Sequence, residues 1–133
     1  MTTAAEWVAF LNARLDEDEE AARDARACAE VKDGRWFDGE DEINDDNGYR
    51  LATVNHPFVT AHIALHDPDR ELREVEVKRR LIERYERAAA VPESVSSFVR
   101  GQDSGYREAC LDAIKDLTAA YSDFPGYRQE WAP

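Results

Sequence analysis

HIALHDPDRELREVEVKRRLIERYERA, His62 to Ala88, decides the fold. It reads as the end of one helix, a corner, and a second, longer helix. Asp67-Pro68 marks the corner: the aspartate can cap the free N–H groups of the new helix, and proline at its first position gives up no hydrogen bond. Asp69 and Glu71 place negative charge in the first turn, where the helix dipole favours it. Leu72, Val75, Ile82, Tyr85 and Ala89 then recur at three-to-four-residue spacing, interrupted at Arg79. Such a stripe needs a partner surface, which the rest of the chain must supply.

Working outward, Phe58, Ala61, Ile63, Ala64 and Leu65 form a short helix that enters the corner. At the N-terminus Thr3 and Glu6 have capping-box spacing. Ala4, Val8, Leu11 and Leu15 make one seam, widened by Trp7 and Phe10. Five consecutive acids follow, Asp16 to Glu20, and five positions in a row cover every side of a helix, so the helix is peripheral there. Ala21, Ala22, Ala25, Cys28 and Ala29 resume a small-residue face to about Val31, before a stop at Lys32-Asp33-Gly34. Residues 35–54 break the helical period. Trp36-Phe37 and Tyr49–Val54 are the strand candidates, with Asp41-Glu42-Ile43 able to join the first and Asn47-Gly48 a tight turn. A lone hairpin is marginal in water, so this one must lie on the helices through Trp36, Ile43 and Leu51.

Beyond the long helix, about 68–89, Val91-Pro92 is a stop. Val95, Phe98 and Val99 are expected to face inward from one or two turns, and 101–105 to be a loop. A last helix is expected over 106–121 with Cys110, Ala113, Ile114, Leu117 and Tyr121 at helical spacing. Phe124, Tyr127 and Trp131 are too apolar for a free tail and should fold back on the helices. The expected fold class is α+β, mostly helical: a long N-terminal helix, a β-hairpin, a short helix, corner and long helix, and a C-terminal helix with a packed aromatic tail, in a single domain, 1–133.

The chain has 133 residues, 29 acidic and 17 basic, for a formal net charge of −12. Residues 1–50 hold 15 acids and 6 bases, so the negative field sits mostly there. Phosphate backbones and anionic lipid should be repelled, which argues against direct nucleic-acid or membrane binding and for a basic protein surface as partner. No apolar run is long enough to span a bilayer. Cys28 and Cys110, 82 positions apart without a CxxC, read as free thiols of a reducing cytoplasm.

Three stretches stand together in order: Leu15-Asp16-Glu17-Asp18-Glu19, His62 to Arg70 with Lys78-Arg79-Arg80 behind it, and Asp123-Phe124-Pro125-Gly126-Tyr127-Arg128-Gln129-Glu130-Trp131. In this the chain resembles a family of small acidic proteins of streptomycetes, related actinobacteria and their phages, a domain of unknown function. It departs where the family pattern has Thr-Pro-Gly-Pro-Trp before the hairpin: here stands Lys32-Asp33-Gly34-Arg35-Trp36. The resemblance implies source and architecture and supplies no activity.

Four sets of residues could carry chemistry. Asp16, Glu17, Asp18, Glu19 and Glu20, with Glu40, Asp41 and Glu42 of the hairpin, would present a negative surface to a basic partner. An extreme form of this is a mimic of nucleic acid. His62 and His66 are i, i+4 and could share one metal ion, zinc or another divalent metal, in a metal-dependent hydrolase. Ile63 stands where an H-E-x-x-H glutamate would, so a remote acid would have to serve as base; the plainer reading packs one imidazole and bonds the other to a carbonyl near the helix end. Arg79 and Arg80, with Lys78, could hold an anion or pair with Asp16–Glu20, the latter being favoured. The acids of 38–46 do not fit the EF-hand register. The Ala-rich half of the first helix would suit a homodimer. The reading that asks least of the sequence is a non-catalytic protein-interaction module without a cofactor, with the metal-dependent enzyme as its alternative.

Overall fold

The computed structural model describes residues 2–28 and 34–133. In order these form α1 (Ala4–Cys28), β1 (Phe37–Asp38), β2 (Glu42–Asn44), β3 (Arg50–Thr53), α2 (Pro57–Leu65), α3 (Pro68–Ala89), α4 (Ser97–Ala119) and a 3-10 turn, Gln129–Trp131. The α+β, mostly helical class is what the sequence predicts. The end of the first helix at Val31, with Ala29 and the Lys32-Asp33 stop, falls outside the described residues. The chain divides into two compact units, residues 1–15 with 77–133, and residues 16–76.

The first unit begins with the predicted capping box. Thr3 N–H donates to the Glu6 carboxylate at 2.7 Å, and Glu6 N–H to the Thr3 hydroxyl at 3.3 Å. Leu11 and Leu15 of the α1 seam are fully buried, with Trp7 beside them. The remaining buried apolar residues are Ile82 and Ala88 of α3, Cys110 and Ile114 of α4, and Tyr121 and Trp131 beyond it. At the end of α3 Ala88 is buried and Ala89 exposed, although Ala89 lies closer to the Ile82 face on a 3.6-residue period. The tail folds back as predicted: Trp131 stacks on Trp7 with ring centroids 4.5 Å apart, and Phe10 meets the edges of Trp131 and Tyr127. Arg128 reaches Glu6 at 2.8 Å, and the Trp131 indole donates to Thr2 at 2.9 Å.

Two expectations for this unit are overturned. α4 starts at Ser97, not Tyr106, and runs through Gly101 and Gly105. Ser96 caps it, its hydroxyl accepting from Val99 N–H at 3.4 Å, and neither glycine has a neighbour within 4 Å where a Cβ would stand. On an open helix face each glycine costs only about 1 kcal/mol, too little to break a capped helix. Val95, Phe98 and Val99 do not face inward: they are 101%, 72% and 38% exposed.

In the second unit the corner forms as read. The Asp67 carboxylate accepts from Arg70 N–H at 2.8 Å and, through its other oxygen, from Trp36 N–H at 3.3 Å. One aspartate therefore caps α3 and fastens the segment entering β1. Asp69 N–H donates to the Gly34 carbonyl at 3.1 Å, and a Cβ on Gly34 would collide with Asp69. The single expected hairpin is instead a three-stranded antiparallel sheet, β1-β2-β3. Residues 38–42 make a turn of their own, so Glu42-Ile43-Asn44 forms a central strand instead of extending β1. Asn47-Gly48 turns the chain as predicted, Gly48 at φ 79° and Asp45 accepting from Asn47 N–H and Tyr49 N–H at 2.9 Å each.

Ile43 pairs Ala52 while Asn44 pairs Arg50, so Leu51 is skipped by a one-residue irregularity. Leu51 is exposed, against expectation; Ile43 is buried and Trp36 half-buried. α2 packs on β1 and β2. It buries Thr60 and Ala64, and the Thr60 hydroxyl donates to the His56 carbonyl at 3.0 Å.

Candidate interaction surface

All eight acidic candidates fall within residues 16–76. Asp16, Glu17 and Glu20 are exposed on α1, and Asp18 and Glu19 are half-buried. Glu19 pairs with Arg23 one turn on. Glu40 and Asp41 occupy the β1–β2 turn and Glu42 opens β2; Glu40 adopts φ 72°, a left-handed conformation unfavourable for a residue with a Cβ. Glu40 N–H donates to the Asp38 carboxylate at 2.9 Å, and Gly39 N–H to the Glu42 carbonyl at 2.8 Å. These bonds hold the turn with the Glu40 and Asp41 side chains exposed and Glu42 half-buried beside them. Glu42 lies 3.9 Å from Arg50 across the sheet.

The partition of charge is sharper than the N-terminal bias read from the sequence. Residues 16–76 carry 19 acids and 7 bases, a net of −12; the other unit carries 10 acids and 10 bases and is neutral. The whole formal charge of the protein belongs to one unit.

Asp18 and His66 both line a groove of about 280 Å³ with Ala22, Ala25, Trp36 and Glu71. The buried indole Nε1 of Trp36 has no hydrogen-bond partner among the described residues. Sequence reasoning did not find this groove, because its walls come from three separated segments. The alanine face of α1 contributes to it, and Ala22 is buried.

His62 and His66 stand together as the i, i+4 spacing requires, ring centroids 4.6 Å apart. Both are exposed, so the expected packed imidazole is not found. Among the described residues no group of three or more His, Cys, Asp or Glu side chains is placed to hold a metal ion. Arg79 and Arg80 lie on the part of α3 in the neutral unit, and each has a partner within the protein. Their neighbour Lys78 sits over the Tyr121 ring, its Nζ 3.5 Å from the phenol oxygen. Among the described residues no helix is long and apolar enough to cross a membrane.

The outward face of α2 is a second feature that the sequence did not announce. Phe58 is 92% exposed, Leu65 64% and Val59 45%, with His62 exposed between them and His66 exposed at the helix end. The helix buries Thr60 and Ala64, half-buries Ile63, and leaves Phe58, Val59 and Leu65 outward.

Residues 4–133 match the model of DUF6221, a family of unknown function, and the chain belongs to that family. No curated protein and no solved structure matches.

Proposed function

We propose that this member of a family without an assigned activity is a non-catalytic interaction module whose residues 16–76 meet a basic protein surface. The observation that carries the reading is the charge partition: 19 acids against 7 bases in one unit, and balance in the other. A uniformly acidic protein needs no explanation beyond solubility, whereas segregation of the entire net charge directs the field at one class of partner. Glu40 supports the same reading, since backbone strain at a turn bearing two exposed acids is a feature found where function fixes local geometry. Carboxylates also repel nucleic acid and anionic lipid, leaving protein as the partner class.

The test is binding of lysine-rich and glutamate-rich peptides of matched length, followed by fluorescence anisotropy. The lysine-rich peptide should bind, with an affinity that falls as salt rises. A chain carrying Asp16→Asn, Glu17→Gln, Glu20→Gln, Glu40→Gln and Asp41→Asn should bind it at least about tenfold more weakly. No preference between the peptides, or an unchanged affinity in the variant, would retire the proposal.

The adjacent imidazoles keep a metal-dependent hydrolase as the alternative, and no residue is assigned a catalytic role in our reading. Elemental analysis of the purified chain separates the two. We expect no stoichiometric metal and no change in melting temperature on chelation. Stoichiometric zinc that disappears in the His62→Ala, His66→Ala variant would favour the enzyme.

A further inference from the structure

We infer that the outward face of α2 is the seat of a basic amphipathic helix of the partner. This rests on the interaction reading and adds to it where, and by what kind of segment, the contact is made.

Phe58, His62 and Leu65 follow at i, i+4 and i+7, Val59 lies beside them, and the exposed His66 is the residue that ends the helix. The opposite arc is formed by Thr60 and Ala64, both buried. A surface helix ordinarily does the reverse, turning large apolar side chains toward its own sheet. Here the small inward residues let α2 lie close on β1 and β2, and Phe58, Val59 and Leu65 remain in water. Covering Phe58 and Leu65 would recover hydrophobic free energy that folding leaves unused.

Charge selects what covers them. α2 contains no acidic residue, yet it belongs to the unit of net charge −12, packs on strands whose connecting turn carries Glu40 and Asp41, and runs into Asp67 and Asp69. The Arg70 guanidinium donates to the Leu65 carbonyl at the end of the strip. The unit as a whole is nonetheless strongly acidic, and an apolar strip on such a unit matches a helix that is apolar on one side and lysine- or arginine-rich on the other. A second copy of this chain would bring another −12 unit to the same place, which like-charge repulsion opposes.

The experiment uses the full chain and two peptides of leucine and lysine with identical composition. One places leucines at i, i+3, i+4 and i+7; the other is scrambled. We expect the amphipathic peptide to bind at least about tenfold more tightly than the scrambled one, and a Phe58→Ser, Leu65→Ser chain to remove that advantage while still binding both. The substituted side chains are exposed, and an unchanged melting curve verifies that the variant is folded. Equal binding of the two peptides overturns the assignment of the α2 face and leaves the interaction reading standing. Binding of neither overturns both. A concentration-dependent dimer in sedimentation, abolished by the same two substitutions, overturns the assignment in favour of a second copy.

Discussion

Glu40 shows what a single residue discloses. At φ 72° a side-chain-bearing residue costs about 1–2 kcal/mol relative to ordinary backbone, and glycine escapes most of that. Glu40→Gly should therefore stabilise the chain by about 0.5–1 kcal/mol in urea titration; a loss of stability would show that the Glu40 side chain makes a contact that offsets the strain. Glu6 gives a different residue-scale prediction. The Thr3 N–H first, and then the Arg128 guanidinium, hold its carboxyl below the ordinary 4.5. A depressed pKa means that this group favours the folded state above about pH 4.5, an advantage lost as pH falls through the folded value. The melting-temperature difference between the wild type and Glu6→Gln should accordingly shrink as pH is lowered from 6 to about 3. A difference that stays constant would mean that the charge on Glu6 is irrelevant.

At the scale of elements, local chemistry separates what could be read in advance from what could not. The Asp67-Pro68 corner, the Thr3/Glu6 box and the Asn47-Gly48 turn were legible because each is a short-range pattern with one dominant structural outcome. The aromatic tail was legible because Trp131 carries too much apolar area to leave in water, and it lies on Trp7. Trp131→Ala should cost about 3–4 kcal/mol, whereas Trp131→Phe, which keeps a ring but loses the indole bond to Thr2, should cost about 1–2 kcal/mol. Equal costs would place the energy in the hydrogen bond and not in the stack. The start of α4 was misread because Gly101 and Gly105 look like loop residues, though their surroundings are open. Gly101→Ala and Gly105→Ala should each raise stability by about 0.5–1 kcal/mol, measured by thermal unfolding. Destabilisation would show that the glycines are required there. The third strand and the Leu51 slip were beyond reach, since register depends on pairing partners that no single strand sequence specifies.

For the whole molecule, the sequence exposed an excess of acid but not its confinement, because the 16–76 unit is defined by contacts between distant positions. The candidate surface was thus legible residue by residue, while its coherence was not. Nor could periodicity reveal that α2 is turned inside out: Phe58 and Leu65 look like core residues until the packing of Thr60 and Ala64 is known. Confinement also has a thermodynamic consequence. Twelve excess charges on one unit repel one another, so raising salt from about 0.01 to about 1 M, which shortens the screening length from about 30 to about 3 Å, should raise the melting temperature. A fall would mean that ion pairs such as Arg70–Glu74 outweigh the repulsion.

Cys110 is 7% exposed, on the α4 face that also buries Ile114. Its thiol can meet an alkylating reagent only when that part of the chain opens, so it serves as a clock built into the protein. In a Cys28→Ser background, the rate of labelling at Cys110 would report the frequency of native-state opening without any denaturant. Comparing that rate with and without a bound basic peptide would show whether occupancy of residues 16–76 is felt in the neutral unit.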